Sequence, residues 1–170
     1  MKWTADQTRK TFLEFFRERE HKVVPSSPLL PKGDPTLLFT NAGMNQFKPY
    51  FLGVVPPPFK RATSVQKCMR AGGKHNDLDN VGRTGRHFTL FFMGGQHAFN
   101  MPDYWKNEAV GFGQKFLRDV LKIPLEEITY REDVWAGGGN FGPSVEAFAY
   151  GLEIVNHVFM QFEETPQGYK

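Results

Sequence analysis

The sequence predicts an α+β fold, and three features of it do so. A capped amphipathic helix stands at the front, a strand–polar loop–strand unit occupies the middle, and a second amphipathic helix precedes runs of strand character. Short strands meeting antiparallel, with the helices to one side, fit an antiparallel sheet flanked by helices. No repeat and no linker divides the 170 residues, so a single domain over 1–170 is expected, long enough to bury a sizeable core.

Each element has its own local cause. Thr4-Ala-Asp-Gln7 has capping-box spacing, and Phe12, Phe15 and Phe16 recur at helical spacing behind it, so residues 4–19 read as a helix. Pro25, Pro28, Pro31 and Pro35 keep residues 24–36 extended or looped, leading into a short strand at 37–40. Val54-Val-Pro-Pro-Pro58 is a stiff connector. Residues 61–69 and 86–93 read as two strands of a hairpin, and 70–85, rich in Gly, Asn, Asp and Lys, as its oversized tip. Ala109, Phe112, Phe116 and Val120 share a helical face, predicting a helix over about 104–121 that stops before Pro124. A strand at 128–130, a turn at 137–140, a short helix at 144–150 and a buried strand at 153–162 complete the expectation.

Composition narrows the function. Hydrophobic residues at 40% and charged residues at 23% exclude a disordered chain, and 17 phenylalanines predict an aromatic core. The net charge of +3 is compatible with a polyanionic ligand without requiring one. The lone Cys68 excludes an internal disulfide and a multi-cysteine zinc site. No apolar run reaches bilayer length and no signal-peptide core opens the chain, so a cytoplasmic protein with no membrane partner is expected.

The residues with most chemical potential lie on the hairpin, Gln66-Lys-Cys-Met-Arg70-Ala-Gly-Gly-Lys74-His-Asn-Asp77. A guanidinium at a strand end can grip two oxygens of a phosphate, and the glycines let backbone approach a ligand. The same residues could equally form a solvated polar hairpin. There is no G-x-x-x-x-G-K-[ST], no G-x-G-x-x-G, no H-E-x-x-H and no G-x-S-x-G. His21, His75, His87, His97 and His157 lack metal-ligand spacing. Trp135 either caps the core or walls a small pocket. Asn156, within an apolar strand, is either a satisfied structural amide or faces a ligand carboxylate, since an unmatched buried amide costs about 1–3 kcal/mol.

Two long runs carry a family resemblance. Val24-Pro-Ser-Ser-Pro-Leu29 followed by Asp34-Pro-Thr-Leu-Leu-Phe-Thr-Asn-Ala-Gly-Met-Asn-Gln-Phe-Lys-Pro-Tyr-Phe-Leu-Gly53 resembles the opening of alanyl-tRNA synthetases. Gln66 to Gly82 is similar to that family's motif 2. His97-Ala-Phe, Asp133-Val-Trp-Ala-Gly-Gly-Gly-Asn140, Gly151-Leu-Glu and Val158-Phe-Met-Gln161 look most like its archaeal branch, whereas the front is bacterial in flavour. Such a mixture suggests a reconstructed ancestral or engineered sequence.

The resemblance implies a class II synthetase core that binds ATP with Mg²⁺, joins alanine to AMP and passes it to the tRNA acceptor end. By position, Arg70 matches the arginine on the α-phosphate. Lys74, Asn76 and Asp77 match the loop near the phosphates and the acceptor end. Met93 matches the adenine pocket, and Trp135, Asn156 and Val158 match the alanine pocket. The family's Thr-Phe-Phe-Glu-Met reads Thr89-Leu-Phe-Phe92-Met93 here, which is expected to remove a polar group from near ATP, and its usual Gly-His reads Glu20-His21. The chain ends before the family's motif 3, so weakened adenylation is expected, as is an exposed sheet edge through which two copies could pair. A non-catalytic ATP- or RNA-binding module, or a purely structural piece, remains the alternative.

Overall fold

The computed structural model describes residues 2–34, 36–71, 78–137 and 139–169. They form two compact units, Met1–Asn100 and Met101–Lys170. Each contains sheet and helix, and with antiparallel pairing dominant the class is α+β.

In the first unit, helix α1 (Ala5–Arg17) begins at Thr4 through the expected capping box. Gln7 N–H donates to Thr4 Oγ1 at 3.2 Å, and Thr4 N–H donates to Gln7 Oε1 at 2.9 Å. Phe15 and Phe16 are buried, each contributing about 1.5–3 kcal/mol by leaving water. Strand β1 (Lys22–Val23) pairs parallel with β2 (Arg61–Met69), and β2 pairs antiparallel with β3 (Leu90–Ala98). Helix α2 (Lys48–Phe51) follows a 3-10 turn, Asn45–Phe47. Phe47, Ala62 and Phe99 centre a core against which Val24, Tyr50, Phe51 and Phe59 pack.

Two expectations for this unit change. Residues 37–40 are not a strand. Thr40 is buried, but its N–H bonds Leu29 O and its carbonyl accepts Met69 N–H, so isolated contacts replace a ladder. The second hairpin strand starts four residues later than the 86–93 expectation and runs on through Gly94 and Gly95. A Cβ at Gly94 would stand 3.0 Å from the Phe12 ring, so this glycine lets α1 settle on the strand instead of ending it.

In the second unit, α3 (Lys106–Lys115) continues into a π-helical turn, Phe116–Val120, short of Pro124. Strands β4 (Ile128–Gly137) and β5 (Asn140–Ala149) pair antiparallel. On the other side of β5 lie β6 (Leu152–Val158) and β7 (Phe162–Thr165), and β7 also pairs with β8 (Gly168–Tyr169).

The short helix expected at 144–150 is strand instead. Its alanines favour helix, but β4 and β6 satisfy its backbone on both sides, and tertiary pairing outweighs local propensity. Tyr150 (φ 52°) and Gly151 (φ 77°) form the two-residue link to β6, the left-handed pair that a tight hairpin needs. The single buried strand expected at 153–162 is two strands, and β6 is mostly exposed, with His157 its one buried residue. The break follows from Gly142. Phe159 N–H bonds Pro143 O and Gln161 N–H bonds Phe141 O, a passage so close that a Cβ on Gly142 would meet Phe159 O at 1.8 Å.

Candidate functional site

Arg70 and Met93 lie on one face of the β2–β3 hairpin, because Gln66 pairs with Met93, Cys68 with Phe91, and Arg70 N–H bonds Thr89 O at 2.9 Å. Arg70 is half-buried. Its Nε–H donates to Asn41 O at 3.1 Å, and its guanidinium lies 5.3 Å from the centre of the Phe91 ring. These contacts set the plane of the fork, whose terminal amino groups suit a phosphate. Met93 Sδ accepts the Gly43 N–H at 3.3 Å. Beside them Gln66, fully buried, accepts from Ser27 N–H and Oγ and from Gln46 Nε2, and donates to Ser27 O. That network ties the proline-rich segment to β2.

Sequence reasoning did not single out Asn41, Gly43 or Asn45, which hold Arg70 and Met93 in place. Their signal was the Asn-Ala-Gly-Met-Asn run, whose composition is that of a side-chain-capped turn. Lys74, Asn76 and Asp77, with His75, lie outside the described residues.

Phe92, by contrast, pairs with Lys67 on the opposite face, where Arg9 sits 4.3 Å over its ring. Register therefore separates Phe92 from Arg70 and Met93, the residues that the resemblance sets at the nucleotide. Strand alternation points it away from Arg70 and Met93.

Nearby ionisable groups are poor acid–base candidates. Burial pushes the Cys68 thiol up to about 11, against the opposing pull of Arg70. Burial takes His97 down to about 3, with His21 adding a smaller push in the same direction. The His97 ring packs 4.4 Å from Phe47. His21 bonds Phe16 O and Arg19 O and is lowered chiefly by burial, while half-buried His87 meets Thr84 Oγ1 at 2.6 Å. Buried His21 and His97 serve packing.

In the second unit, Trp135, Asn156 and Val158 share one face of the β4–β5–β6 sheet. Trp135 pairs with Gly142, Val158 with Ser144, and Asn156 with Glu146. Trp135 is half-buried, and a Cβ at Gly137 would meet its ring at 2.7 Å. Asn156 is exposed, which overturns the buried-amide argument and leaves its carboxamide open to a ligand. Ser144 and Glu146 are buried between the three, and Glu146 Oε2 lies 2.9 Å from Arg131 Nη2. The opposite face carries His157, taken by burial down to about 4.

No three His, Cys, Asp or Glu side chains cluster as a metal cage among the described residues. No helix among the described residues is long and apolar enough to cross a membrane.

The model of the family "tRNA synthetases class II (A)" matches residues 7–170. A protein named alanine--tRNA ligase from Coxiella burnetii (strain Dugway 5J108-111) is 56% identical over 124 residues, 73% of this chain and 14% of that protein. One of the same name from Acidithiobacillus ferridurans is 54% identical over 132 residues, 76% of this chain and 15% of its own length. That from Methanocella arvoryzae is 46% identical over 162 residues, 93% of this chain and 18% of its own. The chain thus spans less than a fifth of the length of the curated relatives it matches.

Proposed function

Because the chain belongs to the class II (A) tRNA synthetase family, we propose that it binds ATP and alanine and joins them as alanyl-adenylate, the activation step of charging tRNA. The observation that carries this reading is the Arg70 guanidinium, held by Asn41 O on the same face of β2–β3 as Met93. Arg70 takes the α-phosphate, and Met93 lines the adenine. The loop residues Lys74, Asn76 and Asp77 meet the outer phosphates and the tRNA acceptor end.

Trp135, Asn156 and Val158 take alanine, with the indole restricting side-chain size and the exposed carboxamide reaching the polar end of the substrate. A carboxylate oxygen of alanine attacks the α-phosphorus, the bond to pyrophosphate breaks, and pyrophosphate leaves with that electron pair. Arg70 opposes the charge that builds on the phosphoryl oxygens, and such preorganised charge is the main lever in this displacement. Mg²⁺ bound with the nucleotide would neutralise part of the triphosphate charge.

In this reading the two units are parts of one adenylation domain of a cytoplasmic protein. A second copy pairs through an exposed sheet edge, and sedimentation that finds only monomer at high concentration would remove that association.

Alanine-dependent exchange of labelled pyrophosphate into ATP tests the activity. Exchange above a no-alanine control is expected. Its absence from a folded chain that still binds ATP would leave a nucleotide-binding module without turnover.

A further inference from the structure

We propose that Asn45 is a positioning residue for the nucleotide site: its carboxamide oxygen holds the turn of residues 41–43, and that turn fixes both Arg70 and Met93. The inference rests on the ATP-binding reading above and deepens it.

Asn45 Oδ1 accepts two backbone donors, Ala42 N–H at 2.7 Å and Asn41 N–H at 3.1 Å. Asn45 N–H donates back to Ala42 O at 3.3 Å, closing the turn. The Ala42 N–H and the Asn41 C=O belong to one planar peptide unit, so they point in opposite directions. Holding the N–H on one side therefore aims the carbonyl on the other, and that carbonyl accepts Arg70 Nε–H at 3.1 Å. One residue further on, Gly43 N–H reaches Met93 Sδ at 3.3 Å.

The device is anchored at both ends. Phe47, two residues after Asn45, is 1% exposed and packs against His97 and Phe99. Its N–H bonds Met44 O at 2.9 Å, which forms the 3-10 turn. On the other side Thr40 O accepts Met69 N–H at 2.9 Å, immediately before Arg70. A core phenylalanine thus sets Asn45, Asn45 sets a peptide plane, and that plane sets a guanidinium. None of these side chains other than Arg70 and Met93 need touch ATP.

The test compares Asn45→Ala and Asn45→Asp with the wild-type chain, by NMR of the Arg70 Nε–H and the Met93 methyl group without nucleotide. In the wild type the Nε–H should exchange slowly with water. Asn45→Ala should bring it to the rate of a solvated arginine and shift the Met93 methyl. Asn45→Asp, which keeps the acceptor, should restore both signals. With ATP, Asn45→Ala should raise the ATP Kd about tenfold, the size expected for one hydrogen-bonded orientation lost, and leave the KM for alanine unchanged.

Wild-type signals in a folded Asn45→Ala chain would overturn the proposal. If Asn45→Ala does not fold, Asn45→Asp decides it: wild-type signals support the device, and displaced ones overturn it. A wild-type chain with a protected Arg70 Nε–H that binds no ATP would remove the functional reading and leave this positioning intact.

Discussion

His157 packs its imidazole into the space that Gly113 leaves on α3: a Cβ there would stand 2.6 Å from the ring's Cε1 and 2.7 Å from Nε2. Alanine in place of a mid-helix glycine ordinarily stabilises by roughly 0.5–1 kcal/mol. Here the sign reverses, because His157 is buried and overpacking costs about 1–3 kcal/mol. Gly113→Ala should lower the Tm by several degrees in a thermal melt. A variant more stable than the wild type would show that the ring has room to move.

Glu20 sits at φ 63°, just past the end of α1, where His21 N–H turns back to Phe16 O. Glycine adopts this left-handed backbone freely, and a residue with a Cβ pays about 1–2 kcal/mol for it. The Glu20 carboxylate does reach Arg61 at 3.2 Å, but it is exposed and such a pair is worth little. Glu20→Gly should therefore raise stability by roughly 0.5–1 kcal/mol, read as a higher urea midpoint at unchanged slope.

What could be read from the sequence was what local chemistry decides. Thr4 and Gln7 announce the start of α1, and residues 61–69 read as a strand without sight of their partners. Residues 144–149 could not be read in this way, because their alanines favour helix and only the neighbouring strands overrule them. The continuation of β3 past residue 93 was hidden for a related reason: Gly94 and Gly95 carry no strand propensity, and Phe12 fills the space above Gly94. Among the proposed site residues, Arg70 was visible as a candidate from its place at a strand end and Trp135 from the resemblance. The role of Asn45 was not, since it depends on a peptide plane that no spacing rule describes.

Acid should unfold the chain early. Burial holds His97 and His157 at about 3 and about 4, below the ordinary 6.5, so between about pH 4 and 6.5 the unfolded chain binds more protons than the folded one. Their contribution is complete above pH 6.5 and lost as the pH falls, at up to about 1.4 kcal/mol per pH unit for each ring. Urea midpoints measured from pH 7.5 to 4.5 should decline steadily. His97→Phe, which keeps a ring against Phe47 without a titrating group, should make that decline shallower. Stability independent of pH over this range would mean that the rings are not held neutral.

Restoring the family's glutamate at position 92 should do little to the nucleotide. Phe92 is exposed, on the face of β3 opposite Met93, with Arg9 over its ring. Phe92→Glu would exchange a cation–π contact for an ion pair with the same arginine, a change expected within about 0.5 kcal/mol. The ATP Kd from calorimetry should stay within about twofold of the wild type. A tenfold gain would place this side chain near the triphosphate, against the register seen here.

Arg70 is the residue on which the nucleotide reading stands, and two substitutions separate charge from geometry. Arg70→Ala removes both and should abolish alanine-dependent exchange. Arg70→Lys keeps the charge but loses the Nε–H that meets Asn41 O and the planar fork that meets a phosphate. A charge-assisted hydrogen bond contributes about 1.5–3 kcal/mol, so Arg70→Lys should weaken ATP by one to two decades. Because Arg70 is half-buried and its backbone N–H is what pairs with Thr89, neither change should move the Tm by more than a few degrees. Equal ATP affinity in the wild type and Arg70→Lys would mean that a point charge suffices and the aimed guanidinium is incidental. Equal affinity in Arg70→Ala would take the phosphate away from this hairpin altogether.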